Sequence, residues 1–265
     1  MFLSTVLYLS SQSTQPQQTV KHLLVQLNDC GFHFSLVIVV SSKHTLSKEL
    51  GLGQEGIIYT VDDSLSISEG LNEGLKFVNQ STIYSDYICL FYDDFKLSDG
   101  YFSTILKGIN GDIDNVLIVP NYGGNNINLP LFSLNGVVLR NLFLQLMLGR
   151  LRDEYISWED YPYYYALARK YKVIKSESSY FTKIDVSSST KNRWIAIGQG
   201  FKEKNYSYIL VFRTILQLSM KFEIGAFLYI FIGYIKGARY KYPSKILRKT
   251  TPSKLRVISN IFTIH

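Results

Sequence analysis

Asp93 and Asp94 close the run "CLFYDDF" (89–95), whose apolar start suits a buried strand. Two neighbouring carboxylates at the end of such a strand are costly unless they are hydrogen-bonded, paired or bound to a cation. Two chemistries fit. The pair can cap the helix expected near Ser98. Alternatively, one or both acids can hold a hard divalent cation whose other sites are filled by water and substrate phosphates. A second pair stands in "ISWEDYPYYYALARKY" (156–171), where Trp158, Glu159 and Asp160 precede a helix that carries Arg169. These acids either complement a helix N-terminus or include a general base. A third stretch, "SEGLNEGLKF" (68–77), places Gly70, Asn72 and Gly74 in one helix. Alone it reads as a helix start with two small residues.

The elements that position these residues alternate. "LSTVLYLS" (3–10), "FSLVIVVS" (34–41), "GIIYT" (56–60), "DYICLFY" (86–92) and "DNVLIVP" (114–120) read as strands. "TVKHLLVQLND" (19–29) and "SEGLNEGLKFVNQ" (68–80) read as helices. Near-continuous apolar strands separated by helices predict an α/β fold, with a mostly parallel sheet covered on both faces. Ligands bind beyond the carboxyl ends of such strands, where Asp93 and Asp94 lie. After residue 120 the alternation stops. A turn-rich loop (120–130) leads to an expected helix over 136–151, a helix over 159–171 with Pro162 in its first turn, and a last strand over 171–176.

The order of the pieces is more specific than any one of them. Strand–helix alternation, N-x-G, a strand-terminal D-D and then W-E-D-Y followed by Arg resembles the family-2 glycosyltransferases with the GT-A fold. Within them it is most similar to rhamnosyl- and galactofuranosyltransferases. "SLNGVVLR" (133–140), "STKNRWIAIGQGF" (189–201) and "YIFIGYIKGARYK" extend the resemblance along nearly the whole chain. The resemblance implies an inverting sugar transfer from a nucleotide-diphosphate donor to a glycan or lipid-linked acceptor, in the synthesis of a surface polysaccharide or glycan. It implies Asp94 as ligand of Mn2+ or Mg2+, Asp160 as general base and Glu159 as the acid beside it. Ser10, Ser41, Asn72, Gly74, Asp93, Trp158 and Arg169 would then line the substrate site. Three positions depart from the pattern. Tyr92 replaces the first acid of D-x-D, Ser41 and Ser42 stand where strand two usually ends in an acid, and no histidine lies near Thr182.

Charge divides the 265-residue chain. Residues 191–265 carry 14 Lys/Arg against two acids, Glu203 and Glu223, a net of about +12. The first 190 carry 14 basic and 19 acidic residues, about −5. Such a basic tail points to a polyanionic partner. Its apolar runs, broken by Arg213, Lys221 and Glu223, are too short to span a bilayer and suit interfacial helices. The expected organisation is a catalytic domain over 1–190, with a donor half (1–120) and an acceptor half (121–190). A helical tail over 191–265 would rest on an anionic membrane surface, at the cytoplasmic face of the cell membrane. Helices that close the catalytic core are the other reading of the tail. Cys30 and Cys89 lie in apolar surroundings and read as reduced core residues. The four histidines form no cluster with them, which argues against zinc. The opening "MFLSTVLYLS" reads as a first core strand, not a signal peptide. Two other classes compete: a catalytically degenerate transferase-like partner, and a basic nucleic-acid-binding protein suggested by the +7 charge and 20 tyrosines. The second lacks any nucleic-acid-binding module, so no nucleic acid is expected as partner.

Overall fold

The computed structural model describes residues 2–46, 56–81, 84–107, 115–122, 134–147, 149–151, 159, 161–183, 190–203, 208–209, 211–212 and 224–237. In chain order its elements are β1 (Phe2–Leu9), α1 (Pro16–Asn28), β2 (His33–Ser41), β3 (Gly56–Val61), α2 (Ile67–Gln80), β4 (Tyr87–Tyr92), β5 (Phe95–Leu97), α3 (Tyr101–Lys107), β6 (Asn115–Tyr122), β7 (Val138–Arg140), α4 (Asn141–Leu146), α5 (Tyr161–Ala168), β8 (Lys172–Lys183), α6 (Thr190–Glu203) and α7 (Ile224–Lys236).

The strands form one sheet in the order β3-β2-β1-β4-β7-β6-β8-β5. β1, the expected first core strand, is central. Its Leu3, Val6, Leu7 and Leu9 are fully buried between β2 and β4, both parallel to it. β3 continues the parallel set on the far side of β2. β6 and β8 are parallel, whereas β7 runs antiparallel to β4 and β6, and β5 antiparallel to β8. The sheet is therefore mostly parallel, as the apolar strand runs predict.

Both helices expected before β4 are present. α1 begins at Pro16, a residue preorganised for a first helical turn. α2 begins with a capping box, in which the Ser66 side chain accepts from Glu69 N–H and Glu69 accepts from Ser66 N–H. α2 lies unusually close to the sheet. A Cβ on Gly74 would stand 2.3 Å from Val6 Cγ1, and one on Gly70 2.5 Å from the Tyr8 ring.

The segment 136–151 differs from expectation. It starts as strand β7, not helix, and among its described residues only Asn141–Leu146 is helical. Gly136 takes φ +82°, Val138 and Leu139 are fully buried, and pairing with both β4 and β6 overrides the helical spacing of the apolar residues.

The chain forms two compact units. The first comprises Met1–Asp153 and Tyr171–Val186 and contains the sheet. The second comprises Glu154–Lys170 and Ser187–His265, so α5 clusters with the C-terminal region. Within the second unit, α6 and α7 pack tightly. A Cβ on Gly198 would lie 1.9 Å from the Ile230 carbonyl oxygen, and one on Gly233 2.0 Å from that of Ile195.

Candidate functional site

Four parallel strands end together in the first unit, and the order reverses at β1. That reversal opens a crevice between the chain ends leaving β1 and β4, where α/β sheets bind ligands. Ser10 follows β1 and Asp93 follows β4. Ser10 Oγ donates to Asp93 Oδ1 at 2.5 Å, and Ser10 N–H donates to the same oxygen at 3.3 Å. Asp93 N–H donates to the Tyr8 carbonyl at 2.9 Å. Asp93 has φ +53°, a left-handed conformation uncommon for a residue other than glycine. Its Oδ2 accepts no hydrogen bond among the described residues.

Asp94 is placed differently. Its side chain is fully buried and faces the start of α1. Oδ1 accepts from Ser13 Oγ at 2.5 Å and Thr19 Oγ1 at 3.1 Å. Oδ2 accepts from Thr14 N–H at 2.6 Å, Thr14 Oγ1 at 2.8 Å and Gln15 N–H at 3.1 Å. Burial pushes the Asp94 carboxyl up, but the bonds from Ser13, Thr14 and Gln15 outweigh it and hold the group below its ordinary value. Gln15 gives α1 no side-chain cap, so Asp94 supplies negative charge at that helix N-terminus from the other side of the crevice. Asp94 thus grips the loop that leads into α1, through N–H groups that precede the helix, and accepts from no first-turn N–H. Five donors already fill a carboxylate with about four lone-pair sites. A cation at Asp94 would have to displace them.

The neighbouring strand ends carry a second acid. Asp63, just past β3, accepts on Oδ1 from Ser41 Oγ, from Ser42 Oγ at 2.9 Å and from Lys43 N–H at 2.8 Å. The hydrogen bonds from Ser41, Ser42 and Lys43 hold its carboxyl below the ordinary value. Where strand two lacks its usual acid, its serines therefore grip an acid from strand three. Lys43 Nζ donates to the Ser11 carbonyl at 3.1 Å, and His44 Nε2 lies 2.8 Å from the Ser10 carbonyl, tying the β1 loop to the end of β2. Tyr8 sits beneath this ring. Its hydroxyl donates to the Leu65 carbonyl, and burial, then the charges of Asp93, Asp63 and Glu69, push its pKa up to about 12.

Asn72 and Gly74, expected at the substrate, both make contacts within the fold. Asn72 exchanges two hydrogen bonds with the backbone of Leu151, at 2.8 and 3.2 Å, and Gly74 provides the close approach to Val6. In the second unit, Glu159 is half-buried, and Arg169 is exposed with its guanidinium 5.5 Å from the Tyr165 ring centre. Trp158 and Asp160 lie outside the described residues. Thr182 pairs with Lys96, in β8 and β5.

Sequence reasoning missed Asp63, Asn135 and the Ser13–Thr14–Gln15 nest. Asp63 had a signal, because "YTVDDS" ends a strand in two aspartates just as "LFYDD" does. Asn135 had none. It is fully buried, accepts from Tyr92 N–H and donates to the Tyr92 carbonyl, fixing the end of β4 just before Asp93.

Among the described residues no group of three His, Cys, Asp or Glu could hold a metal. A magnesium-type site needs only one or two carboxylates, with substrate phosphates and water supplying the rest. Asp93 Oδ2 accepts no hydrogen bond among the described residues, whereas both oxygens of Asp94 already accept.

Solved structures share this architecture. A mannosyltransferase, PcManGT from Pyrobaculum calidifontis, in complex with GDP-Man and Mn2+, superposes over 76% of this chain and 61% of its own, with a TM-score of 0.55 and 10% identity. S. aureus TarS 1-349 in complex with UDP-GlcNAc superposes over 78% of this chain and 68% of its own, with a TM-score of 0.50 and 14% identity. The chain has the GT-A glycosyltransferase fold. It spans less than two thirds of the mannosyltransferase's length. No protein-family description matches the sequence, and no curated protein is detectably similar to it.

Proposed function

We propose that this GT-A chain is a glycosyltransferase that takes its sugar from a nucleotide-diphosphate donor. The observation that carries the reading is the ring of Ser10, Ser41, Asp63 and Asp93 at the carboxyl ends of the parallel strands. The solved structures with this fold contain GDP-Man and UDP-GlcNAc. In this reading Asp63, held by the two serines, faces the nucleoside, and Asp93 faces the diphosphate. Asp93, not Asp94, would hold Mn2+ or Mg2+, with Asp94 keeping the β1 loop in shape behind it. A divalent ion bound there offsets the charge on the departing nucleoside diphosphate.

The acceptor chemistry is proposed from the resemblance in the W-E-D-Y stretch. Asp160 takes a proton from an acceptor hydroxyl as it attacks the anomeric carbon. Glu159 orients that hydroxyl, and Trp158 and Arg169 hold the acceptor. Attack from the face opposite the leaving group inverts the anomeric centre. The acceptor is a glycan or lipid-linked saccharide at the inner membrane face, consistent with the net charge of about +12 over 191–265. A rhamnosyl or galactofuranosyl donor fits the same motif order.

A second reading has one observation in its favour. Tyr92, the saturated Asp94 and Thr182 leave fewer ligands than the family pattern, which suits a transferase-like partner without turnover. A screen of UDP-, GDP- and dTDP-sugars for hydrolysis, with and without Mn2+, separates the two. Turnover of one donor, lowered ~10²–10⁴-fold by Asp160→Asn with donor binding retained, supports the transferase. Nucleotide binding without turnover supports the partner. If no nucleoside diphosphate binds in either metal condition, both readings fail.

A further inference from the structure

In α7, Ile230 and Tyr234 are buried and Gly233 meets α6 backbone to backbone. Leu228, Phe231 and Ile235 stand on the other face at i, i+3 and i+7, which makes one stripe along the helix. All three are exposed, Ile235 by 60%. Tyr208, Ile209 and Phe212 extend the stripe; Ile209 is 81% exposed. Phe231 joins them across a groove of about 310 Å³ lined by Tyr208, Ile209, Val211 and Phe212. Exposed aromatic and aliphatic side chains grouped in this way mark an interaction surface.

Charge identifies the occupant. "KGARYKYPSKILRK" (236–249) begins at the last residue of α7 and holds six Lys/Arg and no acid. Lys202 Nζ lies 4.9 Å from the Tyr234 ring centre and 5.8 Å from that of Tyr208, at the groove. A second copy would bring two regions of about +12 together, which repel. A nucleic acid matches the charge but leaves the apolar stripe in water. An anionic bilayer surface satisfies both, with acyl chains for the stripe and headgroup phosphates for Lys202, Lys236 and the basic residues that follow in sequence. At 13 residues α7 is shorter than the ~20 needed to cross a bilayer, so it would lie in the interface.

We propose that Leu228, Phe231 and Ile235, with Tyr208, Ile209 and Phe212, form the face by which this protein lies on an anionic lipid bilayer. The proposal rests on the membrane-facing reading of the C-terminal region and specifies the side chains that enter the lipid.

The test is co-sedimentation of the full chain with vesicles of equimolar phosphatidylcholine and phosphatidylglycerol, and of phosphatidylcholine alone. The protein should pellet with the anionic vesicles, and less so at raised salt. The double variant Ile209→Ser/Ile235→Ser should partition about tenfold more weakly or worse with an unchanged melting temperature. Ile235→Leu should bind as the wild type does. Ile235→Ser alone is read if the double variant melts early. Equal binding by wild type and the folded serine variant overturns the proposal. So does absence of vesicle binding together with a dimer that the serine variant dissociates, since the occupant is then a second copy. UDP and GDP affinities measured on the same samples report on the transferase reading separately. A variant that loses vesicles supports the lipid face whether or not nucleotide binds, and failure of nucleotide binding sinks only the transferase.

Discussion

Asp94 Oδ2 accepts the backbone N–H of Thr14 at 2.6 Å, across 80 residues of chain. This bond and four others lock the loop between β1 and α1 onto the end of β4. The loop carries Ser10, and Ser10 holds Asp93. A fully buried carboxylate thereby helps to set the shape of the crevice beside which Asp93 lies.

Asp94→Asn should therefore lower stability, because an amide cannot accept from five donors and turns its own N–H groups toward some of them. A loss of about 2–4 kcal/mol is expected for a buried, charge-assisted network. The pH dependence follows from the depressed folded value. The carboxylate's contribution is present above the unfolded pKa of about 3.9 and is lost as pH falls through the lower folded value. Urea melts between neutral pH and strong acid should show wild type losing more stability than Asp94→Asn. Parallel curves would remove Asp94 from the network.

Asp93→Asn should do the reverse. Asparagine tolerates the left-handed backbone that Asp93 adopts, and its side-chain oxygen can still accept from Ser10. Folding should persist, while the Mn2+-dependent part of UDP or GDP affinity falls by about tenfold or more, as expected for a lost carboxylate ligand. Calorimetric titration with and without Mn2+ reads this directly. Equal affinities in wild type and variant would take Asp93 out of the site.

The sheet was legible because buried parallel strands read as β-branched, apolar runs. "LSTVLYLS" and "FSLVIVVS" could hardly be anything else. β7 was not legible, because three residues cannot announce a strand against the helical spacing of 136–151. Its pairing partners, β4 and β6, decide it. In the site, two acids at a strand end were visible, but not which one the β1–α1 loop would surround with donors. Side chains alternate along an extended strand, and the left-handed turn at Asp93 resets that alternation. Asp63 escaped because the family pattern directs attention to strand two, where Ser41 and Ser42 stand. Only the fold shows that the serines hold an acid from the next strand.

Gly74→Ala tests whether the N-x-G stretch touches substrate or packs. Its Cβ would stand 2.3 Å from Val6 Cγ1 and 3.2 Å from Val39 Cγ2. Both valines are fully buried, so relieving the contact requires them or α2 to shift. Overpacking of this kind costs about 1–3 kcal/mol. The melting temperature should drop, and the nucleotide affinity of the folded protein should hold. An unchanged melting temperature with weakened nucleotide binding would return Gly74 to the substrate site.

Asp63 supplies the last prediction. Its Oδ1 is taken by Ser41, Ser42 and Lys43, while its Oδ2 accepts no hydrogen bond among the described residues. An oxygen held at a strand end with lone pairs to offer can accept from a ribose hydroxyl or a base N–H, but not from a diphosphate, which has no proton to give at neutral pH. Asp63→Ala should thus weaken UDP or GDP by about tenfold, the scale of one lost hydrogen bond to a charged group. Inorganic pyrophosphate, which has no nucleoside, should bind both proteins alike in Mn2+. Ser41→Ala should fall between them, since Ser42 and Lys43 still hold the carboxylate. The comparison of ligands separates recognition from architecture. If nucleotide and pyrophosphate weaken together in Asp63→Ala, the acid only braces the loop after β2, and the nucleoside is read elsewhere.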